Sequence, residues 1–363
     1  MSDNHEELSR LRERIDALDA QVLALLAERA SLAQRIGAIK QGNFYRPERE
    51  AQVLRRVAEL GGGPLPVEAV QRIFREIMSA CLALEQPLTI AYLGPAGTFT
   101  EAAAHKHFGS APSFEPCATI DDVFRAVESG RTDYGVVPVE NSREGAVGRT
   151  LDLMLASPLQ ICGEVVLRIR QNLMSRAATC DGVRTVYSHA QSLAQCHAWL
   201  NRHLPAATRL PVSSNAEAAR LAAQAAPEDG VAAIAGEGAA GLYGLGILAA
   251  NIEDEPRNTT RFLVLATHDA GVSGFDKTSL VCSAQNRPGA VHDLLEPLKE
   301  YGVSMTRLES RPARGIEGSP WEYVFFIDVE GHRLDAPVAA ALEAMRGRVS
   351  FLKLLGAYPR ALA

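Results

Sequence analysis

The stretch Asn251-Ile252-Glu253-Asp254-Glu255-Pro256-Arg257-Asn258-Thr259-Thr260-Arg261-Phe262, followed by Leu263-Val264-Leu265-Ala266, sets a polar loop directly before a short apolar run. Such a run reads as a buried strand, and the loop brings hydroxyl, amide and guanidinium groups to its mouth. That is where α/β folds gather chemistry. On this stretch alone a plainer reading, an ordinary charged loop with Arg261 in a salt bridge, is favoured.

Outward from it, residues 88–93, 134–139, 183–187, 231–235 and 262–265 read as short strands alternating with helical stretches, an α/β arrangement. The loops after these strands hold the informative residues. Gly94-Pro95-Ala96-Gly97-Thr98-Phe99-Thr100 precedes a helix and can present backbone N–H groups to an anion. Glu140-Asn141-Ser142-x-x-Gly145 follows the second strand, and Ser188-His189-x-Gln191-x-x-x-Gln195-Cys196 follows the third. Singly, each also reads as a helix cap. Gly236-Glu237-Gly238-Ala239-Ala240-Gly241 imitates a dinucleotide fingerprint, but Leu242-Tyr243-Gly244-Leu245-Gly246 makes a poor helix after it, and the glycines read as close-packed turns.

The N-terminal region differs in kind. Leu8, Leu11, Ile15, Leu18, Val22, Leu25, Leu32, Ile36 and Ile39 recur at steps of three and four, predicting one long helix with a coiled-coil-like seam. Arg29 occupies a seam position, where a buried guanidinium needs a compensating anion such as Glu28 or Glu50. Arg12 lies 17 residues from Arg29, roughly 25 Å along a helix, so one small ligand cannot touch both from one chain. If the two cations share a ligand, one comes from a second protomer. Pro47 opens a second helix, Gly61-Gly62-Gly63-Pro64 ends it, and residues 67–85 form a third before Pro87.

Beyond Asp269-Ala270-Gly271-Val272-Ser273-Gly274, read as a flexible linker, the order becomes strand, helix, strand, strand, helix, strand, a βαββαβ unit over residues 275–359. The chain is thus expected to be multidomain, with regions 1–87, 88–268 and 275–359. Its 363 residues, 47% hydrophobic and 22% charged, are enough for several cores and exclude a disordered class. A net charge of −6 offers no general attraction to nucleic acid or anionic membrane. Short apolar runs and a polar, acidic beginning predict neither a membrane span nor a secretory signal. Cys81, Cys117, Cys162, Cys180, Cys196 and Cys282 are scattered without a Cys-x-x-Cys pair, which suits reduced thiols and a cytoplasmic location. No metal-ligand spacing is visible among the histidines.

Three resemblances follow from these residues. Asn258-x-Thr260-Arg261-Phe262, with the Asn141 and Ser188 blocks in order, resembles the prephenate dehydratase family over residues 89–266. It implies a two-lobed fold similar to type II periplasmic binding proteins, with Asn141, Ser188, Gln195 and Thr260 as the catalytic set. Residues 5–86 resemble the all-helical, intertwined chorismate mutase domain, which places Arg12, Arg29, Lys40, Arg49, Glu50, Cys81 and Glu85 at substrate-contacting positions, with Lys40 and Glu85 catalytic. Cys81 stands where serine is frequent, Glu85 where glutamine is frequent, and Arg46 where an aspartate often caps the second helix. The last region resembles an ACT domain of ferredoxin-like α+β fold. Gly289-Ala290-Val291 and Glu309-Ser310-Arg311-Pro312 are its phenylalanine-sensing marks, and His292 replaces a valine found in some relatives.

The order mutase, dehydratase, ACT is that of the bifunctional enzymes of phenylalanine biosynthesis. The resemblance implies chorismate and prephenate as substrates, phenylpyruvate as product, phenylalanine as inhibitor, no cofactor, and at least a homodimer. The chemistry suits the residues. A pericyclic rearrangement needs a cationic cage, and arginine keeps its charge when desolvated. The dehydration needs a proton at a departing hydroxyl, which Thr260 can position or relay only within a polarised network. Glutamine at position 85 would donate a hydrogen bond at any pH, whereas glutamate donates only when protonated. Two rivals are a non-catalytic amino-acid sensor and a mutase fused to a prephenate dehydrogenase, the second needing NAD.

Overall fold

The computed structural model describes residues 2–39, 45–283, 287–312 and 323–361. It divides into two compact units: Met1–Arg46, Val53–Leu88 and Phe108–Ser113 form one, and Pro47–Gln52, Thr89–His107 and Phe114–Ala363 the other.

The first unit is helical. Helix α1 (Ser2–Ile39) carries the predicted seam; α2 (Pro47–Leu60) and α3 (Val67–Glu85) follow. Proline fits the first turn of α2 because that position needs no N–H partner, and Gly61 at φ +74° ends the helix. Leu11, Ile15, Leu25 and Ile36 on α1 remain more than half exposed. Residues 108–113 are tied to α3: Glu76 Oε2 accepts the Ser110 N–H at 3.1 Å, and Ser79 Oγ accepts the Ala111 N–H at 3.3 Å.

The second unit contains three sheets. The chain runs β1 (Thr89–Leu93), α4 (Phe99–Phe108), β2 (Ser113–Cys117), α5 (Ile120–Glu128), β3 (Tyr134–Asn141), β4 (Gly145–Ala146), α6 (Gly148–Ala156) and β5 (Gln160–Arg168). It continues through β6 (Asn172–Ser175), β7 (Thr185–His189), α7 (Ala190–Gln195), α8 (His197–His203), β8 (Thr208–Val212), α9 (Asn215–Gln224), β9 (Val231–Ala235), α10 (Glu237–Tyr243) and β10 (Gly246–Ala249), then returns as β11 (Thr259–Ala266). Sheet order is β2-β1-β3-β11-β5 in the first sheet, with β4 on β3, and β10-β6-β9-β7-β8 in the second. The chain therefore enters the second sheet once and leaves it once. The two crossings meet where the Ile169 N–H donates to the Asn258 carbonyl at 2.9 Å.

Local sequence explains the elements. Thr119 caps α5 by accepting the Asp122 N–H, and the helix buries Val123, Phe124, Ala126 and Val127 on one face. Truncating Phe124 to alanine would cost about 3–5 kcal/mol. Ser214 caps α9 in the same way, on Glu217, and α9 buries four alanines, a smooth face that lets it lie close to the second sheet.

The third sheet, β13-β14-β12-β15, is built from β12 (Asp276–Ser283), α11 (Ala290–Glu300), β13 (Met305–Pro312), β14 (Tyr323–Glu330), α12 (Ala336–Arg346) and β15 (Phe351–Pro359), the expected βαββαβ order. Its strands pair antiparallel. Strand β15 lies against β5, and Gly356 stands so near that a Cβ there would collide with the Ile161 backbone carbonyl.

Three expectations need correction. Strand β11 begins at Thr259, so Thr260 lies within a strand and not in the loop before it; Asn141 and Ser188 likewise belong to β3 and β7. Polar residues are accommodated because Thr259 to Arg261 pair with β5 and Thr260 and Arg261 also with β3, and threonine suits a pleated surface. Gly238 and Gly241 sit inside α10, whose buried Ala239 and Ala240 favour a helix over turns. The segment 269–274 is fixed and not a flexible linker: Asp276 accepts the N–H groups of Ser273 and Gly274, both at 2.9 Å, and the Ala270 carbonyl lies 3.2 Å from His332 Nε2.

Candidate active sites

A cavity of about 330 Å³ opens among residues of both large sheets, lined by Asn141, Thr260 and Phe262 on one side and by His189, Ser192, Gln195 and Asn215 on the other. Thr260 and Asn141 are register partners on neighbouring strands. The Asn141 amide is fully committed. Its Oδ1 accepts the N–H groups of Arg143 and Glu144 at 3.0 and 3.3 Å, while Nδ2 donates to Asn258 Oδ1 at 3.0 Å and to Thr260 Oγ1 at 2.9 Å. Because Thr260 Oγ1 accepts here, its own hydrogen is left to be donated elsewhere.

The opposite wall is a second network. Gln171 Nε2 donates to Ser192 Oγ at 3.0 Å and to Gln195 Oε1 at 3.2 Å, and Asn215 Nδ2 donates to the same Ser192 oxygen at 2.9 Å. The Gln195 amide nitrogen thereby keeps its donors for a ligand. Ser188 is completely buried and does not line the cavity; its Oγ lies 2.7 Å from the Ile234 carbonyl and 3.0 Å from Asn215 Oδ1. It thus braces Asn215. His189 is the one titratable side chain among the described residues of the wall. Its Nδ1 accepts the Gln191 N–H at 3.3 Å, which puts the ring hydrogen on Nε2 in the neutral form.

No lysine or arginine lines this wall among the described residues. Helix ends line it instead: Thr98, Phe99 and Thr100 stand at the start of α4, and Ser214 and Asn215 at the start of α9, where unpaired backbone N–H groups suit an anion. Sequence reading missed Gln171, Ser192, Asn215 and Asn258 as members of this network. Asn258 was visible only as part of a motif, and Asn215 was not singled out at all, although Ser213-Ser214 before it is the kind of pair that starts a helix.

The helical unit places its residues differently. Arg29 is half-buried and its Nη1 donates to Cys81 Sγ at 2.9 Å, a contact with sulfur where a carboxylate was expected. Glu85, one turn beyond Cys81, packs against Gly37; a Cβ at that glycine would come within 2.9 Å of Glu85 Cγ. Arg12 is exposed on α1. Arg49 and Glu50 fall in the first turns of α2, in the part belonging to the second unit. Lys40 lies outside the described residues.

In the third sheet, Gly289 takes φ +81° at the start of α11, with Ala290 half-buried and Val291 exposed. Edge strand β13 alternates: Arg307, Glu309 and Arg311 turn inward, while Leu308, Ser310 and Pro312 are exposed. Arg311 Nη2 reaches Asp152 of α6 at 3.2 Å. Of the four regulatory candidates on β13, Glu309 and Arg311 therefore lie on one face of the strand and Ser310 and Pro312 on the other.

A helical region with cations on a long seam, a two-sheet cleft with paired amide and hydroxyl groups, and a small βαββαβ sheet define a multidomain enzyme of the α/β class with an appended regulatory-type module. Family models match in the same order: chorismate mutase type II over residues 11–86, prephenate dehydratase over 90–270 and ACT domain over 278–347. A bifunctional chorismate mutase/prephenate dehydratase of Neisseria gonorrhoeae is 58% identical over 354 residues, covering 97% of this chain and 96% of the relative. The crystal structure of a prephenate dehydratase from Arthrobacter aurescens in complex with L-Phe superposes with a TM-score of 0.69 at 34% identity, over 75% of this chain and 90% of that one. A structure described as GqqA, a novel type of quorum-quenching acylase, gives 0.67 at 30% identity, over 75% and 98%. The chain belongs to the bifunctional chorismate mutase/prephenate dehydratase family. It is an isomerase and a lyase in one polypeptide.

Proposed function

We propose that Thr260, Asn141 and Gln195 carry the dehydratase reaction at the cavity, with Ser188 as a positioning residue behind it. The hydrogen bond from Asn141 to Thr260 supports this reading best, because it makes Thr260 an acceptor on one side and a directed donor on the other. The reaction takes one proton: prephenate dianion plus H⁺ gives phenylpyruvate monoanion, water and carbon dioxide. Thr260 hydrogen-bonds the departing ring hydroxyl as its C–O bond breaks. The electron pair of the breaking C–C bond to the ring carboxylate completes the aromatic ring. A wall without lysine or arginine among the described residues favours this step, since a guanidinium clamped on the leaving carboxylate would stabilise the reactant more than the transition state, where that charge is being lost.

For the mutase, the proposed substrate contacts are Arg12, Arg29, Lys40, Arg49, Glu50, Cys81 and Glu85, with Arg12 supplied by a second copy. The exposed apolar seam of α1 supports an intertwined dimer, since an isolated helix would leave that stripe in water. Phenylalanine feedback is proposed at Gly289, Ala290, Val291 and Glu309 to Pro312. The edge position of β13, with its exposed Ser310 and Pro312, supports a site completed by a second ACT sheet. The domain limits proposed are 1–87, 88–268 and 275–359, and six free cysteines suit a reducing, cytoplasmic setting. Supplying chorismate to the purified protein and following prephenate and phenylpyruvate tests the whole reading. Prephenate that forms but is never consumed, in wild-type protein, removes the dehydratase assignment.

A further inference from the structure

Thr260 and Asn141 face the cavity, and their neighbours Arg261 and Glu140 therefore face the other side of the same two strands. There they meet the third sheet. Arg261 donates from Nε to Glu164 at 2.7 Å, from Nη1 to Asp328 at 2.6 Å and from Nη2 to the Tyr358 hydroxyl at 2.8 Å. Arg307 of β13 reaches Glu140 at 3.1 Å, and Lys277 of β12 reaches Glu164 at 2.8 Å. Ser279 Oγ bridges Asp328 and Tyr358 at 2.5 and 2.7 Å.

Three cations meet three carboxylates, so the cluster is balanced in charge. Its centre is also buried: side-chain exposure is 4% for Glu164, 5% for Asp328, 12% for Arg261 and 11% for Arg307, whereas Glu140 at the rim is 37% exposed. Burial is the largest single influence and by itself would raise the carboxyl groups of Glu164 and Asp328, but Arg261 together with Lys277 and the neighbouring hydrogen bonds outweighs it and holds both below their ordinary range. Between Arg261 and Phe262 the register slips by one, because β3 carries an extra residue, Val139. A bulge beside a site re-aims side chains, and here it sits within two residues of both Thr260 and Asn141. The ion pairs anchor the strands on either side of it.

We propose that Arg261 and Glu140 are positioning residues for Thr260 and Asn141, and that the ACT sheet supplies their counter-charges through Asp328 and Arg307. The junction is then the physical route by which the state of the ACT sheet reaches the dehydratase site. Moving Asp328 by an ångström leaves the buried Arg261 without its partner, and moving Arg307 buries a guanidinium away from the rim carboxylate of Glu140, so the strand carrying Thr260 or Asn141 must follow. This inference rests on the dehydratase reading given above.

The test uses the full-length chain, with supplied prephenate for the dehydratase and chorismate consumption as an internal measure of folded enzyme. Arg307→Gln should lower dehydratase kcat about tenfold, equivalent to ~1.4 kcal/mol, with prephenate KM within about twofold and mutase activity unchanged. Arg307→Lys, which keeps the charge opposite Glu140, should recover most of the loss. Adding Glu140→Gln to Arg307→Gln should cost little more than either alone, the signature of one shared interaction. Asp328→Asn serves as the second probe, and any variant that loses mutase activity as well is set aside as misfolded in favour of the other. Wild-type kcat in both Arg307→Gln and Asp328→Asn, a loss confined to KM, or losses that multiply in the double variant would overturn the proposal. Thr260→Ala and Asn141→Ala run beside them: if these keep dehydratase activity the site itself is misassigned, whereas if they are inactive while Arg307→Gln and Asp328→Asn match wild type, only the junction fails.

Discussion

On α1 the cations proposed to hold chorismate, Arg12 and Arg29, stand along an apolar seam that one chain leaves largely in water. In the dehydratase cleft the side chains proposed to act on prephenate are instead tied to one another: Asn141 has all four of its hydrogen-bonding positions engaged. The contrast follows from the chemistry. A rearrangement of a dianion needs charge brought in by long, mobile side chains, and a second copy can supply it. The dehydration with loss of carbon dioxide, as proposed, needs one directed hydroxyl and a wall free of lysine and arginine among the described residues, which a single chain's strands can hold rigidly.

The largest effect should come from breaking the self-contained site. Thr260→Ala should reduce dehydratase kcat by about 10²–10⁴-fold while chorismate is still consumed, so prephenate accumulates. Product analysis by chromatography checks this, and equal loss of both activities would show that the two regions are not chemically separate.

The shared site should break in the opposite way, by complementation. Arg12→Ala and Arg29→Ala homodimers should each lose mutase activity, on the order of 10²-fold for a lost charge-assisted contact of about 3 kcal/mol. Mixed dimers should regain one intact site of the two. Absence of recovery on mixing would mean that each mutase site draws its cations from one chain.

Acid should sharpen the comparison from the structural side. Glu164 and Asp328 are held below their ordinary values of 4.5 and 3.8, so their contribution is fully present above those values and is lost as pH falls through the lower folded values. Thermal unfolding followed from pH 7 downward should show stability falling below about pH 4, and Asp328→Asn should flatten that fall. A wild-type profile in the variant would remove Asp328 from the acid response.

The smallest effect concerns Glu85. A glutamate donates a hydrogen bond only when protonated and a glutamine at any pH, so the mutase pH profile of Glu85→Gln should depart from that of the wild type by a few-fold in activity. The dehydratase profile on supplied prephenate is the control. Superimposable mutase profiles would mean that Glu85 is not the donor.

Much of the architecture was legible in residue order alone. The three- and four-residue spacing of leucines and isoleucines on α1 determined a helix with an unfilled seam, since side-chain direction along a helix is set by its period. Pro47, Gly61 and Pro87 marked where helices start and stop because they constrain the backbone locally, and the βαββαβ order of the third sheet followed from the same local signals. Thr260, Asn141 and Gln195 were marked by their motifs. What the sequence left open is everything that depends on two strands lying side by side. Thr260 read as a loop residue because its polarity outweighs its strand preference until β3 and β5 pair with it. Arg261 looked like half of an ordinary salt bridge, and its partners Glu164 and Asp328 lie 97 and 67 residues away, too far for any spacing rule to reach. Ser188 and Asn215 show the same limit: which of two polar residues faces a cavity and which braces it from behind is decided by the pleat and by the packing of α9, and neither is written in local sequence.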